Sequence, residues 1–230
     1  MREPTPCRLF LARRTRYIVV VETTRREGTR AYADINRPQT AEAFSARAVV
    51  FVEGVSDQLA LETLGVRRGR NLDAEGISIV PIGGAQAIGR FLAAFGPQGF
   101  DVRLAGLCDA AEEGDFRRGL EGAGFGSNLT RDDMERLGFY VCVVDLEDEL
   151  IRALGAAAVE KVIQAQGELE TFRTFQKQPA WRGRTTEGQL RRFMGTHSGR
   201  KIQTAALLVG ALDLTKVPRP LDRVLAHVWA

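Results

Sequence analysis

The sequence is poor in the residues that would commit it to several common chemistries. Its 230 residues include only 3 cysteines and 2 histidines. Cys7, Cys108 and Cys142 are odd in number and have no Cys-x-x-Cys spacing, and the last two sit inside apolar runs. This argues against a disulfide framework or a zinc site and for reduced, buried thiols. His197 and His227 are isolated and read as structural or solvent-exposed residues. No apolar run approaches the ~18 residues needed to cross a bilayer, and the start does not have the pattern of a signal peptide. A soluble cytoplasmic protein with no membrane partner is the expectation. Internal repeats and low-complexity segments are missing too. So is a phosphate-cradling loop of the form Gly, four residues, Gly-Lys-Ser/Thr. The nearest approach, Gly195-Thr-His-Ser-Gly199-Arg-Lys201-Ile, departs in both spacing and final hydroxyl, so ATP hydrolysis by this chain is not expected.

What is present is a chain 44% hydrophobic, long enough for one substantial core or a domain with a satellite. Its net charge of +3 conceals segmentation. Residues 1–47 carry ten Lys/Arg against five Asp/Glu, residues 48–150 nine against eighteen, and residues 151–230 thirteen against six. An acidic centre between basic flanks suits a metal cluster beside a surface that tracks a phosphate backbone, although balanced solvated faces give the same counts.

The chain is organised around Ala48-Val-Val-Phe-Val52, an apolar run of the kind buried on both faces of a parallel sheet. Glu53 closes this strand, Gly54 permits a tight turn, Ser56 is placed to cap a helix, and Asp57 falls in that helix's first turn. Ile77–Pro81 is a second strand, followed by Ile82-Gly83-Gly84. Val102–Cys108 is a third, ending at Asp109, with Glu112 and Glu113 close behind at the start of a helix expected over Glu112–Glu121. In an open α/β sheet, ligands bind in the crevice at the carboxyl ends of the strands, which is where these acids fall. Carboxylates converging on one crevice repel unless a cation neutralises them, and an oxygen-only set suits Mg²⁺ or Mn²⁺. An acidic first turn is also a common complement to a helix dipole.

This order of motifs resembles the Toprim domain: strand, Glu53-Gly-Val-Ser-Asp57, strand, Pro81-Ile-Gly-Gly84, strand, Asp109. With Asp145-Leu-Glu-Asp-Glu149-Leu it is most similar to Toprim domains of the OLD (overcoming lysogenization defect) nucleases. The resemblance implies an α/β fold, Rossmann-like, with a mainly parallel four-stranded sheet flanked by helices. It also implies a divalent-metal-dependent DNA endonuclease or nickase, with a role in anti-phage defence or repair. Glu53, Asp57 and Asp109 would be metal ligands, supplemented by Glu112 or Glu113. Glu53, Asp109 and Lys201 would be catalytic, with Lys201 completing the site from the helical region. One departure stands out: Toprim domains usually have Asp-x-Asp at the third strand, and position 111 is Ala. The competing expectation is therefore a catalytically weak module that binds nucleic acid or docks an ATPase. OLD-type Toprim domains usually follow an ATPase, so a separate ATPase partner and a homo-oligomer both stay open.

The expected division is an N-terminal extension (1–46), the Toprim domain (47–155) and a helical subdomain (156–230). In the extension, Tyr17–Val21 and Arg30–Ile35 read as a hairpin and Ala41–Ala46 as a short helix. Phe139–Val144 supplies the fourth core strand, and Glu147, Asp148 and Glu149 read as a first helical turn complementing the dipole, ahead of direct metal ligation. Later, Ser198-Gly-Arg200-Lys201 places two cations at a helix start, where the dipole does not favour them, which suggests a nearby anion. Arg191, Arg192, Arg200 and Lys201 are the expected nucleic-acid contacts.

Overall fold

The computed structural model describes residues 46–97, 99–196 and 198–230. The expected N-terminal hairpin and short helix lie outside these residues. Four parallel strands, β1 (Ala48–Val52), β2 (Ile77–Pro81), β3 (Arg103–Cys108) and β4 (Phe139–Val141), form one sheet in the order β2-β1-β3-β4. All pairs are parallel, with Val50 opposite both Ile79 and Ala105. Parallel neighbours need crossovers, and helices supply them. Helix α1 (Val55–Arg67) links β1 to β2, and α2 (Ile88–Phe95) links β2 to β3. Between β3 and β4 lie α3 (Glu113–Gly122) and α4 (Arg131–Arg136).

The two-residue period of a strand divides β1 between two cores. Ala48, Val50 and Val52 join one core, which α1 and the C-terminal helices complete. Val49 and Phe51 face the other, where Phe51 meets Phe91 and Phe95 of α2 at 5.6 and 5.9 Å. Every residue of β1 is buried, as its unbroken apolar run requires.

After β4 come α5 (Leu146–Leu154), α6 (Ala156–Ala165), α7 (Leu169–Gln176), α8 (Thr186–Met194), α9 (Ser198–Ala211) and α10 (Arg219–Trp229). These helices share the sheet's first core and do not form a separate one. Helix α9 lies along α1, and α10 packs over β3, β4 and β1. Arg67 at the end of α1 donates to the carbonyls of Val209 and Leu212 at 2.8 and 2.6 Å. It thereby supplies partners that the last turn of α9 cannot find within its own helix.

Three local expectations change. Helix α1 is capped at Gly54, not by the Ser56 side chain: the Gly54 N–H donates to Asp57 Oδ2 at 3.0 Å. The fourth strand ends at Val141, three residues early: among the described residues β4 is an edge strand paired only with Gly106–Cys108, and Val143 beyond it is 63% exposed. The helix expected from Glu112 begins as a 3-10 turn over Ala110–Glu112 before α3.

Candidate metal and active site

Glu53 and Asp109 each follow the last residue of a strand, and β1 and β3 are direct neighbours. Sheet pairing therefore sets the two carboxylates side by side. The 3-10 turn then folds back: Ala110 N–H donates to the Val144 carbonyl at 3.0 Å and Glu112 N–H to the Asp109 carbonyl at 3.1 Å. One carboxylate oxygen from each of Glu53, Asp109 and Glu112 lies within 4.8 Å of the other two. Asp57, buried on α1, is close enough to raise the pKa of Asp109.

The energetic signature is that of like charges held together partly out of water. Burial, then Asp57, Asp145 and Glu53, push Asp109 up to about 8. Burial pushes Asp57 up to about 6, with Lys201 acting against the shift. Burial and then Glu112 raise Glu53, again against Lys201. Lys201 is the counter-charge. Burial alone would lower its pKa, but Glu147, Asp57 and Asp109 outweigh burial and leave it above the ordinary lysine value.

Lys201 faces this crevice while its helical neighbour is held elsewhere. Arg200, adjacent in sequence, is only 14% exposed on its side chain and bonds Glu168 Oε2 at 2.7 Å and Thr196 Oγ1 at 2.6 Å. Its guanidinium lies 4.2 Å from the centre of the Phe193 ring. The structure thus gives Arg200 to the interior of the helical layer and does not place it as a surface phosphate contact. Arg191 is taken up by Asp145 at 2.6 Å, while Arg192 is exposed. Glu113 is drawn away from the acidic group by Arg131 and, more weakly, Arg117, which hold its pKa low.

Glu147 has a larger part than a helix-dipole acid. It is 5% exposed and pairs with Lys201 at 3.4 Å. The signal was available: Glu147 stands three and four residues before Leu150 and Ile151, both buried, so it shares their helix face. Asp145 caps α5, accepting from the Asp148 N–H at 2.8 Å.

The donor set fits a hard divalent cation. Within the convergent group Glu112 Oε2, and beside it Glu147 Oε1, are out of solvent and have no hydrogen-bond partner among the described residues. Orphaned buried carboxylate oxygens cost stability unless a cation or proton serves them. Beside the group runs an open groove of about 480 Å³, lined by Glu53, Gly83, Gly84, Gln86, Glu112 and Asp115. Gly83 and Gly84, at φ +74° and +115°, make its floor in a conformation that other residues avoid.

A family model described as "Overcoming lysogenization defect protein-like, TOPRIM domain" matches residues 44–110. The chain carries an OLD-like Toprim domain. Solved structures agree on the fold of the Toprim domain and of the helices after it. The C-terminal region of the Burkholderia pseudomallei OLD protein superposes with a TM-score of 0.62 at 20% identity, covering 80% of this chain and 97% of that one. The C-terminal region of the Xanthomonas campestris pv. campestris OLD protein gives 0.62 at 22% identity, covering 81% and 94%. A comparison with curated proteins returns no match. Where Toprim domains usually have a second Asp, this one has the exposed Ala111, and Glu112 turns inward one residue later. Among the described residues no helix is long and apolar enough to cross a membrane.

Proposed function

We propose that the chain is a divalent-metal-dependent DNA endonuclease or nickase of the OLD-like Toprim type. The observation that carries this reading is the convergence of Glu53, Asp109 and Glu112 near the half-buried Lys201. Glu53, Asp109 and Glu112 would hold Mg²⁺ or Mn²⁺, with Asp57 and Glu147 close by. Bound there, the ion would activate water and stabilise the leaving oxygen of a phosphodiester.

The chain's own groups do the rest. Lys201, kept cationic by its carboxylate neighbours, offsets charge that accumulates on the phosphate in the transition state. Glu53, at the end of β1 within the carboxylate cluster, is the group assigned to take the proton from the attacking water. Glu147 positions the Lys201 ammonium, and Asp145 ties Arg191 to the rim of the same crevice. DNA is the substrate in this reading, and the family resemblance adds a role in defence or repair and leaves room for a separate ATPase partner.

The test is nicking of supercoiled plasmid and cleavage of single-stranded DNA with Mg²⁺, Mn²⁺ or EDTA. Metal-dependent cleavage that disappears in Glu53→Gln supports the proposal. DNA binding without cleavage under any metal moves the chain to the alternative, a scaffold that binds nucleic acid or docks an ATPase.

A further inference from the structure

Residues 177–192 hold five cations and one carboxylate, the exposed Glu187. They form the turn between α7 and α8 together with α8 itself. Lys177, Arg182, Arg184 and Arg192 are all exposed, and none has an ion-pair partner among the described residues. Several exposed arginines elsewhere behave differently: Arg118, Arg136, Arg152 and Arg219 are each matched to a carboxylate. Unmatched cations gathered on one turn leave a local positive potential that attracts a polyanion.

The turn is also built to keep its shape. Trp181 stacks on Phe175 with ring centres 5.2 Å apart, and Arg192 lies over the same indole at 6.0 Å. The buried Gln189 side chain donates to the Trp181 carbonyl at 2.8 Å and accepts from Gln176 at 2.7 Å. Backbone bonds from Trp181 and Arg182 to the Gln178 carbonyl, both 2.9 Å, close the turn. Cations on a rigid platform lose less freedom on binding than cations on a loose loop. The platform also adjoins the acidic crevice: Arg191, next to Arg192 on α8, is bonded to Asp145, whose charge bears on Asp109.

We infer that Lys177, Arg182, Arg184 and Arg192 form a track for the phosphodiester backbone of the DNA strand that enters the carboxylate crevice. The track reads phosphates and not bases. The inference rests on the nuclease reading for the identity of the polyanion, but its test does not depend on cleavage.

Binding of a short fluorescein-labelled DNA, single-stranded and duplex, is measured by anisotropy in EDTA, where no metal-dependent cleavage occurs. Arg182→Ala/Arg184→Ala is expected to bind roughly tenfold more weakly between about 50 and 200 mM salt, and its plot of log K against log salt should be shallower by about 1.5–2. The charge-matched Lys216→Ala/Arg223→Ala, which removes two exposed unpaired cations on other elements, should stay within about twofold of wild type. Equal losses in the two double variants, wild-type binding by the loop variant, or no DNA binding by the wild type would each overturn the track. Expected binding changes in a protein that never cleaves would sink the nuclease reading and leave the track standing; cleavage with unchanged binding by the loop variant would do the reverse.

Discussion

Asp109 should be destabilising until a cation arrives, and Asp109→Asn should expose this directly. The Asp109 carboxyl lies among Asp57, Glu53 and Asp145, and its pKa rises from 3.8 to about 8. Below the lower value both folded and unfolded chains hold the proton, so there is no difference. Between the two values the folded protein keeps a proton that the unfolded chain has released, and stability falls as pH rises towards 8. At about 1.36 kcal/mol per unit, the ceiling near pH 7.5 is about 5 kcal/mol. Relaxation and water entry reduce the effective penalty, and about 2 kcal/mol is a working figure. Asparagine keeps the shape without the charge. In EDTA near neutral pH, Asp109→Asn should therefore melt above wild type, by roughly 4–8 °C for a chain of this size. The gap should shrink as the pH is lowered towards 4. Mg²⁺ should reverse the order: a site with Kd of about 0.1 mM gains ~2.7 kcal/mol at about 10 mM ion, and only wild type should gain it. Differential scanning fluorimetry across pH, with and without metal, measures both effects. A variant that melts below wild type in EDTA, or that gains as much from Mg²⁺, would refute the reasoning.

Two further perturbations test other parts of the account. Burial, offset partly by a hydrogen bond from Gln58, lifts Glu62 on α1 to about 7, so its carboxylate costs stability as the pH rises from about 4.5 to 7. Glu62→Gln should be isostable with wild type at low pH and gain up to about 3 kcal/mol by pH 8 in urea unfolding, and parallel pH curves for the two proteins would rule this out. A Cβ on Gly106 of β3 would lie 2.5 Å from Phe139 Cδ1 and 3.2 Å from Phe116 Cε1, both rings fully buried. Gly106→Ala should cost about 3 kcal/mol by denaturant titration, and a loss under 1 kcal/mol would show that the aromatic layer yields more easily than close packing allows.

The sheet was legible because its strands announce themselves: five apolar residues from Ala48 to Val52 can be satisfied only by burial on both faces. The Toprim motif order then located Glu53, Asp57 and Asp109 at strand or helix ends. Where the reading ran past the structure, apolarity was an incomplete guide. Val143 and Val144 look like strand, yet they lie beyond the three-residue ladder of an edge strand. Capping at Gly54 depends on backbone angles that composition does not encode. Arg200 and Lys201 are adjacent cations of similar chemistry, and one helical step turns the first into the Glu168–Phe193 niche and the second towards the carboxylates. Glu112 and Glu113 pose the same problem; the 3-10 turn gives the first to the crevice and Arg131 and Arg117 claim the second.

That last distinction tests the central claim most directly, because it asks whether Glu112 makes good the missing carboxylate at Ala111. Initial rates of Mn²⁺-dependent plasmid nicking should be compared for wild type, Glu112→Gln and Glu113→Gln. The account predicts a loss on the order of 100-fold for Glu112→Gln and a near wild-type rate for Glu113→Gln, as expected when only one of the two touches the reacting centre. Full activity in Glu112→Gln, or inactivation by Glu113→Gln in a protein that remains folded, would contradict it.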